Sequence, residues 1–237
     1  MTDCKLITGD DCIAGFDCVD VVIKNCEISS ACSAFRFGGN NILIDNCNIY
    51  GPCIYQFRGS FSPEEKAKSL DKSQVARNNM LCFFTYFVTD DLHQQKQPGN
   101  IFIKNCKVIG ADKFLHINLS GNETWQRGNP PTDITFENIT AENIKAGLYG
   151  YGNSIVNYQL NLKNITYSIA ASHEEEPLFK VAHFGEINIK DMKIDNFNGD
   201  TLIKSWAGTG KVRTDNLICN YNNLVCETDK EFICRPI

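Results

Sequence analysis

Long apolar runs are missing from this 237-residue chain. None reaches the ~20 residues that a membrane-spanning helix needs, which excludes a helical membrane span. Basic residues gather into no stripe, and Lys plus Arg (23) are outnumbered by Asp plus Glu (28). Both features argue against nucleic acid as a partner, and no membrane partner is expected. No two cysteines have the C-x2-C spacing of a zinc site, so neither a metal nor another cofactor is expected. Residues 1–20, MTDCKLITGDDCIAGFDCVD, hold neither the basic nor the apolar segment of a secretion signal. At 22% charged and 43% hydrophobic, the chain is too apolar for a disordered acidic polymer and long enough for one large core.

What the chain does have is self-similarity. Val21-x-Ile23-x-Asn25-Cys26-x-Ile28 recurs as Ile42-x-Ile44-x-Asn46-Cys47-x-Ile49 and as Ile101-x-Ile103-x-Asn105-Cys106-x-Val108. Weaker copies centre on Asn138, Asn164, Asp191 and Asn216. Apolar residues two apart before the Asn give strand alternation. The next apolar position is three further on, so the alternation slips by one at the Asn, as it does at a corner between two short strands. Asn tolerates left-handed backbone and bonds its own main chain, which suits a corner, and stacked corners would hydrogen-bond their amides up a ladder. Coils of about 20–30 residues that bury an inward row only against their neighbours make a solenoid. We therefore expect an all-β, right-handed parallel β-helix of about eight coils, rather than a sandwich.

Residues 1–237 read as a single domain with an insertion at about 60–98. There Ser62-Pro63-Glu64-Glu65 has the form of a helix start. It predicts a short helix over roughly 63–71, followed by an aromatic strand from Met80 to Val88. A second break, Gly121 to Asp133, forms a long loop. The twelve cysteines include pairs 21 residues apart, Cys26 with Cys47 and Cys32 with Cys53, at equivalent places on successive coils. Most are expected to be buried thiols, while Cys219, Cys226 and Cys234 are candidates for a disulfide-tied end cap.

Within this repeat, Thr8-Gly9-Asp10-Asp11-Cys12-Ile13-Ala14 resembles the Asp-Asp-Cys motif of the polygalacturonases, the family 28 glycoside hydrolases. The resemblance implies a pectin-lyase-like right-handed β-helix that hydrolyses pectic or related acidic polysaccharide with inversion, in a secreted or periplasmic setting. It carries over Asp10 and Asp11 as general acid and base. The family's Gly-His-Gly motif is replaced by Ser30-Ala31-Cys32-Ser33-Ala34-Phe35-Arg36-Phe37-Gly38, and its Arg-x-Lys motif by the segment from Gly51 to Gly59. The family's third acid would precede Met1, and we expect further N-terminal coils in the natural context.

Inverting hydrolysis pairs a protonated carboxyl with an ionised one. Adjacent strand residues face opposite ways, so Asp10 and Asp11 can both face a cleft only from a corner or bulge. Arg36 and Arg58, 22 residues apart in matching Phe-Arg contexts, are expected to lie side by side and bind a uronate carboxylate, or else to pair with surface acids. His116 is placed opposite Phe57 or Arg58, where it would supply an imidazole; a plain surface or core residue is the simpler alternative. Trp125 and Tyr55 are candidates for stacking on sugar rings, with Tyr86 a weaker one. The expected partner is thus a polysaccharide or oligosaccharide. Two other classes stay open: a non-catalytic carbohydrate-binding or structural β-helix, and a polysaccharide lyase.

Overall fold

The computed structural model describes residues 1–51, 53–55, 63–64, 79–88, 97–119, 128–153, 157–171, 177–207 and 210–227, with Cys226 and Glu227 described by backbone alone. In chain order the strands are β1 (Lys5–Thr8), β2 (Ile13–Ala14), β3 (Cys18–Lys24), β4 (Glu27–Ser30), β5 (Ser33–Arg36), β6 (Gly39–Asp45), β7 (Asn48–Tyr50), β8 (Met80–Thr85) and β9 (Gly99–Lys104). They continue as β10 (Lys107–Asn118), β11 (Asp133–Tyr151), β12 (Tyr158–Ile169), β13 (Phe179–Ala182), β14 (Phe184–Asp195), β15 (Thr201–Ser205), β16 (Lys211–Ile218) and β17 (Asn223–Glu227). All seventeen belong to one curled sheet, and its pairings are parallel. An antiparallel sandwich is thereby excluded. Of the expected helix over 63–71, Pro63 and Glu64 are helical and the rest lies outside the described residues.

Pairing runs along three ladders. The first joins β1, β4 and β7 to the start of β10. The second joins β3, β6, β9, β11, β12, β14 and β16. The third joins β2, β5, β8, the latter parts of β10 and β11, then β13, β15 and β17. The repeated apolar positions fall in register along the second ladder: Ile23 opposite Ile44, Ile44 opposite Ile103, Ile103 opposite Phe136, and Phe136 opposite Leu162. Each of these side chains is buried, so a short amphipathic strand that could not shield itself is shielded by its neighbours.

The corners behave as their chemistry predicts. Asn25, Asn46, Asn105, Asn138, Asn164, Asp191 and Asn216 all have φ between 49° and 55°. Their amides form a column: Asn46 donates to Asn25 at 2.9 Å, Asn138 to Asn105 at 3.0 Å, Asn164 to Asn138 at 2.8 Å and Asn216 to Asp191 at 2.9 Å. Asn105 departs from the pattern and donates to Asp45 at 2.8 Å. Asp3 (φ 55°) is an unforeseen member and accepts from Asn25 at 3.0 Å. A second column, also unforeseen, runs from Asn100 to Asn41 and from Asn41 to Asp20. It lies within the first residues of β3, β6 and β9, where Gly39 (φ 142°) passes so close to Cys18 that a Cβ would sit 1.9 Å from its carbonyl oxygen.

The aromatic run at Met80 forms β8 and is a full member of the third ladder, lying between β5 and β10. Its Phe83 packs on Phe114 (5.2 Å between ring centres), which packs on Phe136 (5.0 Å) and Tyr167 (5.8 Å). Among the described residues ten cysteines carry free thiols; Cys26, Cys47, Cys82 and Cys106 are buried and the others half-buried. Cys219 is one of the free thiols and packs against the core, so it does not tie a disulfide cap. Cys234 and the side chain of Cys226 lie outside the described residues.

Candidate functional site

Between β1 and β2 the chain bends at Gly9, Asp10, Asp11 and Cys12 instead of continuing as a strand. Three bonds set the bend. Thr8 Oγ1 donates to the Asp10 carbonyl at 2.6 Å, Ser30 Oγ donates to the same oxygen at 2.7 Å, and the Asp11 N–H donates to Asp10 Oδ1 at 2.7 Å. The last is the side-chain-to-backbone bond that Asp makes readily in turns. The bend removes the strand's alternation, and it brings a carboxylate oxygen of Asp10, one of Asp11 and the Cys32 sulfur within 4.8 Å of one another. Burial first, then the neighbouring Asp11, pushes the Cys32 thiol up to about 12. The trio pairs two hard carboxylate oxygens with one soft sulfur, a mixed donor set for a cation.

Asp11 is held from the next strand. Ser33 N–H donates to its Oδ1 at 3.1 Å and Arg36 Nη1 to its Oδ2 at 2.8 Å. The Asp11 side chain is 7% exposed and that of Arg36 31%. Arg36 stands opposite Ala14 in the β2–β5 pairing, the offset its 22-residue spacing predicts, and its guanidinium lies 4.4 Å above the Phe87 ring. Asp10 is exposed. Of the two carboxylates, Asp11 is fixed and Asp10 faces solvent.

Register extends this wall along the third ladder. Arg36 is opposite Thr85, Thr85 opposite His116, His116 opposite Tyr149, Tyr149 opposite Lys180 and Lys180 opposite Lys204. In-register residues on parallel strands share a face. The alternate row, Phe35, Phe84, Leu115, Leu148, Phe179 and Ile203, is buried in the core, so this row points away from that core, although Thr85 and His116 within it are themselves buried. Ser33 Oγ and Thr85 Oγ1 are hydrogen-bonded at 3.1 Å, and Lys113 Nζ and Lys180 Nζ each lie 4.9 Å from the Tyr149 ring centre.

His116 thus differs from its expected place. It meets Thr85, not Phe57 or Arg58, because β8 supplies the strand of that coil. It is 2% exposed, and its Nδ1 is buried without a hydrogen-bond partner. Burial, and secondarily the Lys113 charge, hold its pKa well below the ordinary 6.5, so the imidazole is neutral at neutral pH. Tyr55 is 55% exposed, two residues from Cys53, whose thiol donates to the Thr8 carbonyl at 2.9 Å. That bond ties Tyr55's segment to the aspartate bend. Tyr86 is fully buried and donates to the Asn129 carbonyl at 2.9 Å, which removes it as a sugar platform. Arg58 and Trp125 lie outside the described residues, as do His93 and His173.

Sequence reasoning missed Ser33, Thr85, Lys113, Tyr149, Lys180 and Lys204. A signal was present but chemically mixed: Asp11 and Ala14, Ser33 and Arg36, Cys82 and Thr85, Lys113 and His116, and Ala146 and Tyr149 are all pairs three apart at equivalent positions. No protein family profile, curated protein or solved structure matches the chain significantly.

Proposed function

We propose that the curled parallel sheet is a right-handed β-helix of about eight coils that hydrolyses an acidic, uronate-bearing polysaccharide with inversion. The coil reading is supported by the three ladders, each of which gains one parallel strand for every turn of chain. The catalytic reading rests on one observation: two carboxylates meet at a bend, with an arginine from the next strand against one of them.

In this reading Asp10, exposed at the bend, donates its proton to the glycosidic oxygen as the bond from that oxygen to the anomeric carbon breaks. Asp11, fixed by Ser33 N–H and Arg36, takes a proton from the water whose oxygen bonds the anomeric carbon from the opposite face. Arg36, half-buried beside Asp11, would bring a positive charge close to a substrate carboxylate. Inverting enzymes hold their carboxyls roughly 6.5–9.5 Å apart to admit the water. Asp10 must therefore swing outward from its closed position beside Asp11 when substrate binds. Tyr55, exposed and two residues from the Cys53 thiol that bonds the Thr8 carbonyl, would cover an apolar sugar face.

Asp10→Asn is expected to lower hydrolysis of oligogalacturonides by at least about 100-fold while leaving their binding intact. Unchanged hydrolysis would remove Asp10 and the mechanism with it. A second reading, a β-helix that binds acidic glycans without cleaving them, is favoured by the engagement of both Asp11 oxygens. Binding by the wild-type protein with no product release would select it.

A further inference from the structure

Beyond Tyr149 the outer row of the third ladder changes character. Lys180 and Lys204 stand in register on adjacent strands, both half-buried. Like charges directly opposite each other on neighbouring strands repel and destabilise a sheet. Elsewhere this protein offsets its outward lysines with acids, as Lys5 with Glu27, Lys107 with Glu142, Lys190 with Asp215 and Lys193 with Asp195. Among the described residues neither Lys180 nor Lys204 has a carboxylate partner. Each instead lies over an aromatic ring, Lys180 Nζ 4.9 Å from the Tyr149 centre and Lys204 Nζ 5.5 Å from that of Trp206. A ring orients an ammonium group from one side and leaves its remaining N–H donors for another acceptor.

In a chain of net charge −5, two adjacent cations without acids are an anion's binding place. The same row carries the His116 imidazole, whose buried Nδ1 has no hydrogen-bond partner among the described residues. We infer that Lys180 and Lys204 form a remote anion subsite that takes a sugar carboxylate several units along a polysaccharide whose cleavage point lies at Asp10 and Asp11. The inference rests on the reading of this wall as a site for acidic polysaccharide. Five strand steps separate Arg36 from Lys204, which at ~4.8 Å per step is about 24 Å. The polymer would therefore lie along the stacking direction, held by Arg36 at one end and by the lysine pair at the other. Aromatic rings beside the cations suit such a ligand, since each sugar presents an apolar face as well as an acid.

Calorimetric titration with an oligogalacturonide long enough to span about 24 Å tests this, with its carboxyl-reduced counterpart as the neutral control. The double variant Lys180→Gln/Lys204→Gln is expected to bind the acidic oligomer about tenfold more weakly than wild type and the neutral one equally well. Lys180→Arg/Lys204→Arg should retain wild-type binding, which separates lost charge from a disturbed fold. If the Gln variant binds the acidic oligomer as tightly as wild type, or loses both oligomers equally, the subsite is overturned while Asp10 and Asp11 keep their roles. If wild type binds no acidic oligomer, the reading of the whole wall falls and the subsite with it.

Discussion

His116 illustrates how much one residue's surroundings decide. Enclosed between Thr85 and Tyr149, it is kept neutral by burial and by the Lys113 charge. In the unfolded chain it titrates near 6.5. Its folded pKa is the lower of the two, so the unfolded state binds the extra proton first as pH falls. Stability is therefore present above about pH 6.5 and drains away below it, by up to about 1.4 kcal/mol per pH unit, until the depressed folded value is reached. Urea unfolding of wild type and His116→Gln across pH 7.5 to 5 should show the variant losing less stability than wild type; parallel curves would contradict the assignment. The carboxylates at the bend were legible as a pair because Asp-Asp next to Gly breaks a strand. Their unequal roles were not, since the donors that fix Asp11 come from Ser33 and Arg36, more than twenty residues away.

Among elements, the corner is the unit that the sequence spells out most clearly. Left-handed backbone is costly for residues with a Cβ, and Asn bears that cost best while its amide reaches the next corner. Asn105 combines φ 54° with donation to Asp45 and acceptance from Asn138. Replacing it by Ala should cost about 1–3 kcal/mol, from backbone strain plus lost hydrogen bonds. Asn105→Gly removes the strain and keeps only the second loss, so it should cost roughly half as much. Chemical denaturation of the two variants checks this, and an Ala variant no less stable than the Gly variant would refute the strain argument. The corner at Asp3 escaped notice although Met1-x-Asp3-Cys4-x-Leu6 repeats Ile23-x-Asn25-Cys26-x-Ile28, because an Asp stands in place of the Asn and only one apolar position precedes it. The third ladder was harder still. Its strands carry no shared residue, and β8 opens as an apolar run, Met80 to Phe84, whose inward and outward positions cannot be told apart by periodicity. That is why His116 was expected one strand from its actual place.

For the whole molecule, parallel stacking turns residues far apart in sequence into neighbours on one wall. Asp11, Arg36, Thr85, His116, Tyr149, Lys180 and Lys204 come from successive strands of the third ladder and the bend beside it. The net negative charge of the chain hides this arrangement, because the outward acids and bases of the other ladders largely pair among themselves. A wall with carboxylates at one end and, further along, two lysines that have no carboxylate partner among the described residues matches a long acidic ligand better than a small one. The most direct test follows wild-type protein with a defined oligogalacturonide by time-resolved proton NMR. The account predicts a new reducing end whose first-formed anomer is inverted relative to the cleaved linkage. An unchanged oligosaccharide spectrum, or an unsaturated sugar from elimination, would contradict it.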